Sequence, residues 1–308
     1  GDAVLPTEAH KGQDFGLERM CQTIRQAVAA AQIGMAEIVA IGVATPGTMD
    51  IPAGMLLDPP NLPGWIDFPI RDRLAHHCRL PVSFTNDAAA AAYGEYWVGS
   101  GKGLPSLVLL TLGTGIGGGI IVNDASMDGQ HSHGAECGHI IIDCREDARI
   151  CSCGQPGHLE AYASALAVIR RAQEALAAGK TSSLAGRLAA GAALSPLLLA
   201  EEAEAGDALA LEIVLDTARY LGIGIVNLMH TIDPSGVVLG GAMNFGGNAT
   251  ALGRRFIARV REEVARRAFP VLVQGTPIEY AALGGDAGFI GAAGIARAEP
   301  SRRREGTA

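Results

Sequence analysis

Apolar positions along this chain change period several times. Between Gln13 and Ile33, the residues Phe15, Met20, Ile24, Ala27 and Val28 recur at helical spacing and predict a helix. Ile38–Ala44 is a short continuous apolar run, as expected of a buried strand, and Pro69–Cys78 predicts a helix followed by a strand at Pro81–Thr85. Asn86 is placed to cap a further helix running to about Trp97, because its side chain can accept from first-turn amides. Leu107–Leu112 and Gly118–Val122 predict two strands joined by a glycine-rich turn. One long helix is expected from about His158 to Ala177, with others near Asp207–Thr231 and Asn248–Ala268, and the Ala- and Leu-rich stretch 184–204 is also expected to be helical. Val237–Leu239 and Pro277–Tyr280 predict short strands, and a last helix runs from about Gly285 to Arg297. Such alternation implies α/β layers. No internal repeat is visible.

Composition narrows the functional classes. The 308 residues exceed what one compact core commonly serves, so two lobes are expected. Apolar runs of about eight to ten residues build buried elements rather than membrane spans. Gly1–Lys11 is polar and carries no leader-like apolar segment, so a soluble, cytoplasmic protein is expected. The net charge of −8, with scattered basic residues, argues against nucleic acid as the main partner. Arg302–Arg304, the one basic run, has the character of a solvated tail. Of the six cysteines, Cys151 and Cys153 are too close to bond each other comfortably; without a secretory signal, clustered cysteines point to metal.

Three groups of residues carry candidate chemistry. The first is Leu110–Ile121, where five glycines lie between two strand patterns. Glycine permits positive φ and lets backbone amides approach an anion, and Thr114 adds a hydroxyl, so Gly113–Gly119 can hold phosphate. A tight hairpin that simply needs glycine fits the same run. No Lys-Ser/Thr ending follows, as a P-loop would require, and no helix follows, as a dinucleotide fingerprint would require. Gly240-Gly241, after a strand, suits close approach of a nucleoside. The second group is Asn86-Asp87 at a strand-to-helix junction. Asp87 can accept a hydroxyl proton during phosphoryl transfer and Asn86 can bond a neighbouring hydroxyl, although helix capping alone also explains the pair. The third is His139, Cys151, Cys153 and His158: two thiolates and two imidazoles suit a closed, tetrahedral structural zinc site. Glu136 and Glu160 bracket that cluster and are good acceptors for sugar hydroxyls, whereas Cys137 and Cys144 have the character of core fillers.

With these residues in view, the chain resembles the ROK family of bacterial sugar kinases and repressors, within the actin/hexokinase superfamily. The motifs Leu112–Ile121, Glu136–His139, Cys151–Glu160 and Asn86-Asp87 carry the resemblance, and Pro59–Trp65 is similar to the family's sugar-side loop. It implies a two-lobe, ribonuclease H-like α/β fold that closes over a sugar. The small lobe would comprise 1–85 plus 286–308, and the large lobe 86–285 would carry the zinc knuckle. It implies that Asp87 is the base, that Asn61, Asn86, Glu136, His139 and Glu160 contact sugar, and that Gly113, Thr114, Gly115, Gly240 and Gly241 face the nucleotide. It further implies ATP, Mg²⁺, structural Zn²⁺, a hexose substrate with glucose favoured, and a homodimer without membrane or nucleic-acid partners. N-acetylmannosamine, N-acetylglucosamine and fructose are the alternative sugars; a repressor or a non-catalytic sugar-binding module are the alternative classes. Two departures stand out. His158 replaces a third cysteine, which predicts a Cys2His2 site, and nothing before Val39 matches the family's Asp-X-Gly-Gly-Thr hairpin, which favours a fragment of a longer protein.

Overall fold

The computed structural model describes residues 1–59 and 62–305, with side chains through 299. Pro60 and Asn61 fall outside the described residues, so the expected sugar contact at Asn61 does too. In chain order the elements are α1 (Gln13–Ala30), β1 (Ile41–Thr45), β2 (Met49–Asp50), β3 (Met55–Leu56), α2 (Ile70–Cys78), β4 (Val82–Asn86) and α3 (Asp87–Trp97). There follow β5 (Ser106–Leu112), β6 (Ile116–Val122), β7 (Ala125–Ser126), α4 (Glu160–Ala163), α5 (Ala165–Ala177), α6 (Leu184–Ala189), α7 (Pro196–Glu204) and α8 (Ala208–Ile232). The last are β8 (Val237–Gly240), α9 (Ala251–Arg267), α10 (Pro270–Gly275), β9 (Ile278–Tyr280) and α11 (Ala287–Glu305). No described helix is long and apolar enough to cross a membrane.

The chain forms two compact units. The first comprises 1–97, 127–134 and 286–308. Its parallel pair β1–β4 runs in register from Ile41↔Val82 to Thr45↔Asn86. Leu17, Trp65, Phe68, Ile70, Leu74 and Phe84 form its core. Trp65 lies fully buried with its ring edge-on to Phe68, and its indole N–H donates to the Ala9 carbonyl at 3.3 Å. The tryptophan of the Pro59–Trp65 loop is therefore an anchor, seated where Gly16 leaves room for it.

The division between units differs from the expected cut at residue 85. Helix α3 stays with the first unit because it interlocks with α11. A Cβ on Gly291 would collide with the Ala90 carbonyl, and one on Gly94 with the Ala287 carbonyl, so the two helix backbones approach unusually closely. Gly42 of β1 is packed against the Ala292 carbonyl in the same way. Residues 127–134 also join this unit, where the Ile51 amide donates to the Ser132 hydroxyl at 2.9 Å.

The second unit, 98–126 and 135–285, is built on a five-stranded sheet in the order β7-β6-β5-β8-β9. β5 pairs antiparallel with β6 and parallel with β8. Its centre, Leu107–Leu110, is wholly buried, as a strand covered on both faces must be. The core continues into α8 and α9 through Leu221, Ile225, Phe256 and Val260.

The long helix expected from His158 to Ala177 is instead two helices. Ser164 breaks it in an extended conformation (φ −80°, ψ 168°) and caps α5, its Oγ accepting from the Ala167 amide at 3.2 Å. The helical stretch 184–204 is likewise split into α6 and α7, the latter capped by Ser195, whose Oγ accepts from the Leu198 amide at 3.1 Å.

Candidate functional site

In the first unit, the candidate base lies where a strand becomes a helix. Thr45 and Asn86 are register partners at the carboxyl ends of the parallel strands, and Asp87 opens α3. Asn86 caps the helix, its Oδ1 accepting from the amides of Ala88 at 2.9 Å and Ala89 at 3.4 Å. Asp87 accepts from the Ala88 amide at 2.8 Å and is exposed. Capping and the presentation of a carboxylate are thus one arrangement: the main chain fixes Asp87 while leaving it open to solvent. Asp87 also borders a largely apolar cavity of about 440 Å³ whose walls include Met20, Ile24, Val43 and Phe289.

In the second unit, the glycine-rich run divides into two structural roles. Only Gly113, Thr114 and Gly115 form the turn, closed by the Gly113 amide donating to the Gly115 carbonyl at 3.0 Å. Thr114 is exposed at its tip. Gly117, Gly118 and Gly119 are strand residues of β6. Gly118 lacks a Cβ because the Ala135 carbonyl and the Cys137 sulfur lie against it, and Gly138 in turn lies against the Ile116 carbonyl. These contacts hold the segment carrying Glu136 flat on the strand, which begins at Ile116, two residues before the expected Gly118. Cys137 is buried filler, its thiol pushed up to about 12 by desolvation.

The second glycine pair meets the turn from the side. Gly241 has φ +89°, and a Cβ there would strike the main chain of Leu112. The Met243 amide donates to the Leu112 carbonyl at 3.0 Å. A cavity of about 210 Å³ opens beside this pair, lined by residues that include Leu197, Ala200, Met243, Phe245 and Thr250.

The third cluster is assembled as expected. One ligand atom from each of His139, Cys151, Cys153 and His158 lies within 4.8 Å of every other. His139 Nδ1 stands 3.2 Å from His158 Nδ1 and 3.7 Å from Cys151 Sγ, and Cys153 Sγ stands 3.3 Å from His158 Nδ1. Tetrahedral zinc with bonds of about 2.0–2.3 Å requires ligand-to-ligand spacings of about 3.3–3.8 Å; these three spacings lie at or near that range and the full set spans up to 4.8 Å, so the donor types and their clustering suit that ion. Desolvation and the neighbouring His139 lower the His158 pKa, favouring the neutral imidazole that binds metal. Burial pushes the Cys151 thiol up to about 11, so a thiolate at that position calls for a cation beside it.

The knuckle itself is a set of tight turns. The Cys151 amide donates to the Gln155 carbonyl at 2.9 Å, and the Gly157 amide to Arg149 at 2.9 Å. Gly157 has φ +81° and lies against the Asp143 carbonyl. Its back wall is pinned by Tyr162, whose hydroxyl donates to Asp143 at 2.6 Å and accepts from the Arg149 amide at 2.8 Å. Nothing in the sequence pattern singled out Tyr162 or Asp143, because each is one polar residue in an ordinary setting.

Around the knuckle, Glu136 is exposed, with an oxygen 3.8 Å from His139 Nε2. Glu160 opens α4, where Leu159 is buried in the notch left by Gly224 of α8. One Glu160 oxygen accepts from the Ile116 amide at 2.9 Å; the other accepts from the Ser152 hydroxyl at 2.5 Å and from the Cys151 thiol at 3.4 Å. Sequence reasoning missed Ser152, the residue between the two cysteines. The second unit thus brings together the turn, Gly240-Gly241, Glu136, Glu160 and the metal cluster, while Asn86 and Asp87 belong to the first.

The sequence matches the ROK family over residues 5–299. It is 32% identical over 302 residues to a glucokinase of Halalkalibacterium halodurans, spanning 98% of this chain and 89% of the relative. The crystal structure of a ROK hexokinase from Thermus thermophilus superposes with a TM-score of 0.81 at 32% identity, covering 97% of this chain and 91% of that one. A ROK family glucokinase from Streptomyces griseus, solved in complex with glucose and AMPPNP, superposes with a TM-score of 0.73 at 31% identity, covering 95% and 89% of the two chains.

Proposed function

Because this chain belongs to the ROK family and has the family's actin/hexokinase-like fold, we propose that it catalyses ATP-dependent phosphorylation of a hexose, glucose above all, as a glucokinase-type enzyme. The observation that carries the reading is the junction in the second unit. The Gly113–Gly115 turn lies directly against Glu160, and so against the cluster of His139, Cys151, Cys153 and His158. A phosphate-holding turn and a polar, metal-compatible cluster in contact suit transfer from a nucleotide to an alcohol. The relatives named glucokinase support glucose as that alcohol.

In this reading the sugar 6-hydroxyl attacks the γ-phosphorus of ATP, its proton passes to the Asp87 carboxylate, and ADP leaves. Asn86, Glu136, His139 and Glu160 bond the other sugar hydroxyls. Backbone amides of the Gly113–Gly115 turn and the Thr114 hydroxyl hold phosphate oxygens, and Gly240-Gly241 with the cavity beside them receives the nucleoside. Mg²⁺ bound with the nucleotide would supply charge neutralisation at its phosphates. Bound Zn²⁺ would supply rigidity: His139, Cys151, Cys153 and His158 hold it, and the knuckle then presents Glu136 and Glu160 in fixed positions. A coupled ADP-release assay across glucose, fructose, N-acetylglucosamine and N-acetylmannosamine tests the assignment. The expected outcome is the highest kcat/KM on glucose; a higher value on an N-acetylated sugar would reassign the substrate, and ADP release on none would remove the kinase reading.

A further inference from the structure

Both carboxylate oxygens of Glu160 accept hydrogen bonds within the chain, and they do so from two different parts of the site. One oxygen accepts from the Ile116 amide, the first residue after the phosphate turn, at 2.9 Å. Gly115 makes this approach possible, because a Cβ there would collide with the same oxygen. The other oxygen accepts from the Ser152 hydroxyl at 2.5 Å and the Cys151 thiol at 3.4 Å. A second brace runs in parallel: after the break at Ser164, the Ala165 amide donates to the Gly113 carbonyl at 2.9 Å. The start of α4 and the start of α5 therefore grip the turn from both ends.

Resting on the kinase reading above, we propose that Glu160, held by Ser152, couples metal occupancy of the knuckle to nucleotide affinity at the Gly113–Gly115 turn. Ser152 lies between two of the metal donors, so drawing Cys151 and Cys153 to one ion holds its hydroxyl beside Glu160. A carboxylate held by Ser152 keeps the Ile116 amide, and with it the turn, in place before phosphate arrives. Without the metal, the Ser152 end of Glu160 is held less firmly and this brace on the turn is weakened. Ser152 is thus a positioning residue: it acts on the nucleotide through Glu160.

Binding free energies coupled in this way are reciprocal. Zinc-loaded protein is expected to bind Mg²⁺-AMPPNP about 5- to 20-fold more tightly than metal-free protein. Mg²⁺-AMPPNP should tighten zinc, measured by chelator competition in excess Mg²⁺, by the same factor. Ser152→Ala leaves all four metal donors in place and should bring both ratios close to one, while Ser152→Thr, which keeps the hydroxyl, should restore them. A purely structural role for Ser152 would shift the melting temperature and leave the ratios intact. If metal-free protein does not stay folded, zinc-loaded Ser152→Ala compared with zinc-loaded wild type serves instead, with weaker Mg²⁺-AMPPNP binding at an unchanged melting temperature expected. Equal nucleotide affinity in that pair, or wild-type ratios equal to one, or ratios unchanged by Ser152→Ala, would overturn the coupling alone. Absence of nucleotide binding in every form would overturn the kinase reading and the coupling with it.

Discussion

Asp87 and Glu160 each open a helix, yet the two carboxylates are held by different means. Asp87 follows directly from β4 and is fixed by main chain: strand register, the Asn86 cap and a helix locked to α11 through glycine. Glu160 follows a knuckle and is held by one main-chain amide, that of Ile116, and by side chains of the knuckle: Ser152 and the donors that cluster as a metal would draw them. A group held by backbone can be altered chemically with little structural consequence, whereas one held by a metal knuckle cannot be separated from the stability of its support.

The largest effect is expected at Asp87. Asp87→Asn retains the cap and the geometry but cannot take a proton, so kcat should fall about 10²- to 10⁴-fold with KM for glucose nearly unchanged. The melting temperature should stay within about a degree, since a surface change that preserves the cap costs at most about 0.5 kcal/mol. Steady-state kinetics and a thermal melt together check this; a large loss of stability would show that Asp87 is not held by backbone alone.

Zinc removal should act on stability as well as activity. At free zinc one hundred times its Kd, linkage stabilises the native state by about 2.7 kcal/mol. Chelation followed by calorimetry should show that loss in the second unit, and Cys151→Ser should reproduce it. An unchanged melt after verified metal loss would contradict the structural role.

Gly291→Ala probes the other side. Its Cβ would meet the Ala90 carbonyl, and overpacking of this kind costs about 1–3 kcal/mol. Chemical denaturation should show that destabilisation, with zinc content at wild-type level.

The smallest effect is expected from Tyr162→Phe, which strips Asp143 of one partner and leaves the Arg149 amide without its acceptor, at about 1 kcal/mol. Arg145 and Tyr162 hold the Asp143 carboxyl well below the usual carboxylate range. A depressed folded pKa adds stability above the unfolded value of about 3.9, and that stability is lost as pH falls toward the folded value. The difference in melting temperature between wild type and Tyr162→Phe should therefore be widest near pH 7 and shrink toward about pH 3. A gap that widens on acidification would reverse the sign and refute the assignment of Asp143.

What was legible in the sequence follows the same division. Asn86-Asp87 and the strands around them were readable because capping and apolar periodicity are local. The four metal donors were readable because their residue types are rare together. The break at Ser164 was not readable: serine is tolerated within helices, and what decides it is a long-range contact, Ala165 reaching Gly113. Why Gly118 must be glycine was hidden for a related reason. A glycine that makes a turn and one that admits a neighbouring segment look alike in sequence, and only the packing of Ala135 and Cys137 on Gly118 distinguishes them. Ser152 was invisible because its importance lies in Glu160, eight residues away in the chain and in direct contact in space.

The central claim is that this chain moves a phosphoryl group from ATP to a glucose hydroxyl. Phosphorus NMR of a mixture of zinc-loaded protein, Mg²⁺-ATP and glucose tests it directly. The account predicts a new phosphomonoester signal for glucose 6-phosphate growing in step with ADP. Release of ADP with inorganic phosphate alone, or no change in ATP with folded, metal-replete protein, would contradict it.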